Sequence, residues 1–217
     1  NFRNVDPFTY MRAMEEVTKR GGYVFRMGDP SMTMLPKMKG VIDYAHSECR
    51  SEFMDVFLCA SCQFMVGTAS GVYNISRFFG APILMTNLAS SARLYSMPIN
   101  SLVLLRLHQD KKTRASASMR EVLSLPMYAP RSIAQCDSKD YSLLPNTVDE
   151  ILTAVIEMFE KKYDRKNRSD EENKLQEKVD KLSFDASILY GNLQTEVASS
   201  ISPSFLSKYK RELIDNE

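Results

Sequence analysis

The 217-residue chain has only four cysteines and two histidines, almost no net charge, and no apolar run of the length a membrane helix needs. Each scarcity excludes something. Cys49, Cys59, Cys62 and Cys136 are too few, and too clustered in apolar surroundings, to form the disulfide framework of a small secreted domain. A reducing compartment, the cytoplasm, is therefore expected. A formal net charge of +1 leaves no global electrostatic footprint for nucleic acid or an anionic membrane, so neither partner is implied. A membrane-spanning helix takes roughly 20 apolar residues, and no stretch approaches that, so no span is expected. The N-terminus also lacks a basic region followed by an apolar one. The signatures G-x-x-x-x-G-K-[ST] and G-x-G-x-x-G are missing, which disfavours P-loop nucleotidases and nicotinamide enzymes.

What is present is an alternation of periodicities. Asp6 and Pro7 form an N-cap and first helical position, and Phe8, Met11, Met14 and Val17 then recur at helical spacing until Gly21-Gly22. A strand is predicted over 23–27, broken by Gly28-Asp29-Pro30, and another over 41–45. The stretch from Phe53 to Asn87 organises the rest. It reads as an amphipathic helix, a buried strand over 64–66, a small-residue turn, a second helix and an apolar strand over 82–85. Such alternation predicts an α/β fold, a parallel sheet with helices on its faces.

Beyond Asn87 the pattern loosens. Residues 88–100 read as a long surface loop, 102–107 as an edge strand, 116–125 as a short helix and 127–144 as irregular. Asn146-Thr147 caps a patterned helix over 148–163, while the mixed charges of 161–181 read as a solvated helix or linker rather than core. The remainder reads as a peripheral hairpin of helices. Two parts are expected: a ligand-binding α/β domain over 1–145 and a helical extension over 146–217 that packs on it.

The turn Gly67-Thr68-Ala69-Ser70-Gly71 follows a strand and opens a helix, where backbone amides and two hydroxyls could cradle a phosphate. Equally, its small residues could serve only to let helix and strand pack closely. Arg26, Gly28 and Asp29 stand at a strand's C-terminal end, the arginine suited to a phosphate or carboxylate and the aspartate to a sugar hydroxyl. A solvated ion pair at a strand end is the plainer alternative. Asp43 in an apolar strand, with His46 three residues on, could orient or polarise a substrate or could form a structural hydrogen-bonded pair. Cys59 and Cys62 have metal or redox spacing without a second ligand pair, and read as core.

These residues carry a family resemblance. GGYVFRMGDPSM (21 to 32), GVIDYAHSECRSEFMDVFLCASCQFMVGTASG (40 to 71) and FFGAPILMTN (78 to 87) resemble glycosyltransferases of bacterial surface-polysaccharide biosynthesis loci. The opening Phe2-Arg3-Asn4-Val5-Asp6, EMFEKKY (157 to 163) and SFLSKY (204 to 209) fit more loosely. The strand, Gly-Thr-x-Ser and helix order is distantly similar to the donor-binding half of GT-B enzymes, including fucosyltransferases. The resemblance implies a Rossmann-like domain that binds a nucleotide-sugar donor, a glycan or glycolipid acceptor, and no metal or other cofactor at the diphosphate.

The family's blocks fall on Arg26 to Asp29, Asp43 to Ser47 and Gly67 to Gly71. On that basis Asp43, His46 and Arg26 are expected in catalytic roles. Gly28, Asp29, Ser47, Gly67, Thr68, Ser70, Gly71 and Asn87 are expected to bind the donor. An upstream domain with a His-x-Arg-type element is expected before Asn1, and the protein could sit peripherally at a membrane. A non-catalytic carbohydrate or nucleotide binding module and a sugar-nucleotide epimerase are the alternatives.

Overall fold

The order of helices and strands up to residue 88 follows the chain's own punctuation. The computed structural model describes residues 5–89, 97–98, 100–124, 140–161, 168–189 and 199–214. Most of the predicted surface loop, much of the stretch read as irregular, and Cys136 lie outside them. Asp6 accepts the Phe8 amide at 3.0 Å and opens a 3-10 turn, Pro7–Tyr10, that runs into α1 (Met11–Lys19). Strands β1 (Val24–Phe25) and β2 (Val41–Ile42) pair in parallel and are shorter than predicted. The second stops because Asp43 leads into a 3-10 turn, Tyr44–His46, whose Tyr44 and Ala45 are buried. Ser51 caps α2 (Glu52–Ser61) by accepting the Met54 amide at 3.2 Å.

A strand, helix, strand unit follows: β3 (Met65–Gly67), α3 (Gly71–Phe78) and β4 (Ile83–Leu88), the two strands parallel with Gly67 opposite Met85. Next come β5 (Ser101–Leu105), β6 (Leu107–Asp110), α4 (Met119–Ser124) and β7 (Tyr141–Leu144), which pairs antiparallel with β6. The chain closes with α5 (Val148–Phe159), α6 (Asp170–Leu189), β8 (Ser199–Ile201), α7 (Pro203–Lys208) and α8 (Lys210–Leu213). The main sheet is parallel, in the order β3-β4-β5-β8, and helices flank it in a Rossmann-like α/β arrangement.

Every residue of β4 and β5 is buried, as parallel strands covered on both faces must be. Ile83, Leu84, Met85, Val103 and Leu104 lose all solvent contact, each such side chain contributing about 1.5–3 kcal/mol. Helix α5 packs Ile151, Ala154, Val155 and Met158 into the same core and lies on β4 and β5, with α1 against it. A capping box between Thr147 and Glu150 starts that helix. Glu150 also accepts from Lys208 Nζ at 2.6 Å and Tyr209 Oη at 2.5 Å, which ties α5 to the C-terminal helices.

Two expectations are corrected here. Residues 101–105 are an interior strand rather than an edge, because Ser199–Ile201 pairs on their far side. That partner is short and polar, and carries neither the length nor the alternation by which a strand is read. The charged segment 161–181 is not solvated throughout either: α6 buries Leu175 and Val179 and packs on α7 and α4. Its periodic apolar positions are diluted by charge on the other faces.

Helix α6 also closes the sheet. An edge strand presents unpaired amides and carbonyls to solvent. On β8 the outward Ile201 amide donates to Gln176 Oε1 at 3.0 Å, and Arg168 donates to the Ile201 carbonyl at 2.5 Å and to Gln176 Oε1 at 3.1 Å. Gln176 Nε2 in turn donates to Asp180 at 2.7 Å. Gln176→Ala strands the Ile201 amide and removes a donor from Asp180, whose carboxyl burial already pushes up. We expect a loss of about 2 kcal/mol, read as a lower urea midpoint with unchanged denaturant slope.

Candidate functional site

In parallel α/β sheets ligands gather outside the carboxyl ends of the strands, and here those ends bring several polar residues together. Gly67 ends β3, and the turn through Gly71 delivers the chain into α3. Alternative explanations for the two glycines fail. Neither adopts a left-handed backbone, and a Cβ added to Gly67 or Gly71 would meet no atom within 4 Å. Close packing of helix on strand therefore does not require them, and the space in front of them is open. Ser70 occupies the N-cap position of α3, but its hydroxyl makes no capping bond, in contrast to Ser51, Thr147 and Ser202. Its carbonyl accepts from Asn74 at 3.5 Å.

One strand over, β4 extends past its expected end and supplies Thr86 and Asn87. Thr86 Oγ1 donates to the Gly67 carbonyl at 3.1 Å, so the Tyr10 phenol, 2.6 Å away, must be the donor to Thr86. Burial raises the Tyr10 phenol above its ordinary value, partly offset by Thr86, by the Asn87 side chain and by the charge of Arg106. Asn87 is 6% exposed and holds a left-handed backbone, φ 55°. Its amide donates to Asn146 Oδ1 at 2.6 Å, and the Asn146 amide donates to Asn87 Oδ1 at 2.9 Å. Asn146 Nδ2 donates to the Leu105 carbonyl at 2.8 Å, closing the bridge onto the end of β5. Arg106, also buried, follows directly and donates its amide to Leu88 at 2.8 Å.

The second cluster stands on the β1–β2 pair. Arg26, 7% exposed, donates to Asp43 Oδ1 at 3.0 Å and to the Thr33 carbonyl at 3.1 Å. Asp43 Oδ2 accepts the Leu35 amide at 2.9 Å and lies 3.0 Å from His46 Nδ1, while His46 Nε2 lies 3.1 Å from the Pro30 carbonyl. Burial would push the Asp43 carboxyl up, but the Leu35 amide, His46 and Arg26 outweigh it and hold it below the usual carboxylate value. The three side chains satisfy one another and bind the loop over 28–35 to β2. Glycine suits position 28, whose φ of 155° an L side chain rarely adopts. Asp29 is exposed and accepts the Ser31 amide at 2.9 Å, and Ser47 Oγ accepts the Cys49 amide at 3.1 Å.

So the structure groups Gly67, Thr68, Ser70, Gly71 and Asn87 around one rim, and Arg26, Gly28, Asp29, Asp43, His46 and Ser47 around another turn. Tyr10, Thr86, Arg106 and Asn146 were not anticipated. Arg106 had a signal, a cation inside the apolar run 102–107, whereas Asn146 was read as a helix cap. Cys59 is buried and Cys62 donates its thiol to the Cys59 carbonyl at 3.3 Å, in keeping with a core reading. Among the described residues no three metal-ligating side chains gather, and no helix is long and apolar enough to cross a membrane. Comparison with protein-family models, with curated proteins and with solved structures found no match to this chain.

Two outcomes follow from the titrating groups. Asp43→Ala leaves the buried Arg26 guanidinium without its counter-charge and should cost about 3 kcal/mol at neutral pH in urea unfolding. Because the folded carboxyl titrates low, wild type loses this stabilisation only as pH falls through that depressed value, so its gap to the variant should close in acid. His108 is buried in β6 and its imidazole is lowered to about 4 by burial. The unfolded ring takes up a proton near its ordinary value while the folded ring resists it. Stability should therefore fall between about pH 6.5 and 4, by up to about 3 kcal/mol, and His108→Asn should flatten that part of a Tm-against-pH profile.

Proposed function

We propose that the chain is a glycosyltransferase of GT-B type, or the donor-binding half of one, moving a sugar from a nucleotide-sugar donor to a glycan or glycolipid acceptor. The observation that carries this reading is the rim of β3 and β4: two glycines required neither by backbone nor by packing face open space at the start of α3. An anion would be favoured there, since the first-turn amides of a helix and its dipole attract negative charge. In sugar transfer the departing nucleoside diphosphate gains charge as the glycosidic bond to the donor breaks. Fixed amides and the hydroxyls of Thr68 and Ser70 would stabilise that charge without reorganising. The resemblance of the 21–32, 40–71 and 78–87 blocks to the polysaccharide glycosyltransferases supports the same assignment.

One observation favours a second reading, a binding module without turnover. Arg26, Asp43 and His46, the residues expected to act on the sugar or leaving group, spend their hydrogen bonds on one another and on the backbone. Their contribution would then be to hold the loop over 28–35 in shape.

Calorimetry against UDP-, GDP- and CDP-sugars tests the site directly. Gly71→Val fills the open space and should weaken donor binding at least tenfold while leaving the Tm nearly unchanged, since a Cβ there meets no atom within 4 Å. Ser70→Ala should weaken it by a smaller factor. Undiminished affinity in both variants removes the assigned site. Release of free nucleoside diphosphate from a bound donor distinguishes a transferase from a module that only holds it.

A further inference from the structure

The proposed transfer chemistry makes no use of Cys59 and Cys62, which are built into the junction of α2 and α3. Cys59 lies in the last turn of α2 and is 2% exposed, while Cys62 is the half-buried residue that ends the helix with an extended backbone. With about 1.5 Å of rise per residue and a Cα radius of about 2.3 Å, helical positions three apart stand about 5 Å from each other. A disulfide joins Cα atoms about 4.4–6.8 Å apart, so the backbone already holds this pair at bonding range. The side chains converge as well. The Cys62 thiol folds back over the turn and donates to the Cys59 carbonyl at 3.3 Å, and its sulfur lies 3.8 Å from Ser76 Oγ. Burial pushes the Cys59 thiol up, and a hydrogen bond with the same Ser76 side chain, fully buried on α3, opposes that shift. Both sulfurs thus meet at one hydroxyl. They differ in access, Cys62 being partly open to solvent and Cys59 closed off from it.

We propose that Cys59 and Cys62 are a redox pair, converted by a low-molecular-weight disulfide such as glutathione disulfide into an intrachain disulfide that clasps the end of α2. The partly open Cys62 reacts first. Its thiol gives up a proton, and its sulfur attacks one sulfur of the oxidant, forming a mixed disulfide and releasing one glutathione. Cys59 then loses its proton and attacks Cys62 Sγ, which closes the protein disulfide and releases the second glutathione. Two protein thiols give up two electrons and two protons, and the oxidant's S–S bond takes up both as two thiols. The order follows from access, since a 2% exposed sulfur can resolve a neighbouring mixed disulfide but is poorly placed to meet the oxidant itself. Closure withdraws the Cys62 proton from the Cys59 carbonyl and both thiols from Ser76, so the oxidation state of α2 is felt on α3.

The test is equilibration of the full chain with mixtures of glutathione and glutathione disulfide, followed by alkylation of the remaining thiols and mass spectrometry of tryptic peptides. Trypsin cleaves after Arg50 and Arg77, so both cysteines fall on peptide 51–77 while Cys49 and Cys136 fall on others. The expected product is that peptide lighter by two hydrogens and unalkylated, restored to two alkylated thiols by dithiothreitol. Cys62→Ser should abolish it, and Cys59→Ser should leave glutathione held on Cys62. Because α2 sets the two Cα atoms in place, the equilibrium constant for closure should be at least tenfold larger in the folded chain than in the chain unfolded in urea. A peptide that keeps both thiols, or that carries glutathione which Cys59 never displaces, overturns the inference. So does a constant in the folded chain no larger than in urea. If Cys59→Ser does not fold, the wild-type peptide and Cys62→Ser decide. No readout involves a nucleotide sugar, so failure here leaves the proposed function standing.

Discussion

The pairing of β4 with β5, both buried from end to end, constrains the rest of the molecule. Two parallel strands with no solvent on either face carry mainly apolar side chains, and a polar one such as Ser101 only where it is hydrogen-bonded, here by the Ile83 amide at 3.0 Å. Helices must then cover both faces, and polar chemistry is displaced to where the strands run out. That displacement is visible in this chain: Ile83, Leu84 and Met85 give way to Thr86 and Asn87, and Leu104 and Leu105 to Arg106. The rim is polar because the strands' interior has no place for such groups.

The two polar centres differ in how completely they are closed. Around Arg26 the charges and hydrogen-bonding groups answer one another, and the loop over 28–35 is the thing being held. Around Gly67 and Asn87 the reciprocal bridge to Asn146 is equally well made, and beside it stand two glycines facing open space. A self-satisfied cluster gains little from a ligand. This difference directs attention to the rim, which lies in the stretch that organises the rest of the sequence.

Much of the fold was legible because local signals and tertiary packing agreed. The caps at Asp6 and Ser51, the Gly67 to Gly71 turn and the Thr147 capping box fall where hydroxyls, carboxylates and glycines interrupt apolar periodicity. What escaped depends on partners far along the chain. Ser199–Ile201 is a strand only because β5 offers it an edge, and the buried stripe of α6 exists only because α7 and α4 lie against it. The candidate site divides in the same way. The turn was visible as a run of small residues, but the relation of Asn87 to Asn146, 59 positions apart, required coordinates.

The sealing of β8 by Gln176 and Arg168 bears on how this protein can be crowded. A bare outer strand would recruit a copy of itself from a neighbouring molecule and start a ribbon. Gln176 of α6 and Arg168, just ahead of that helix, already occupy the Ile201 amide and carbonyl, so at that margin self-templated polymerisation would first have to pull both away.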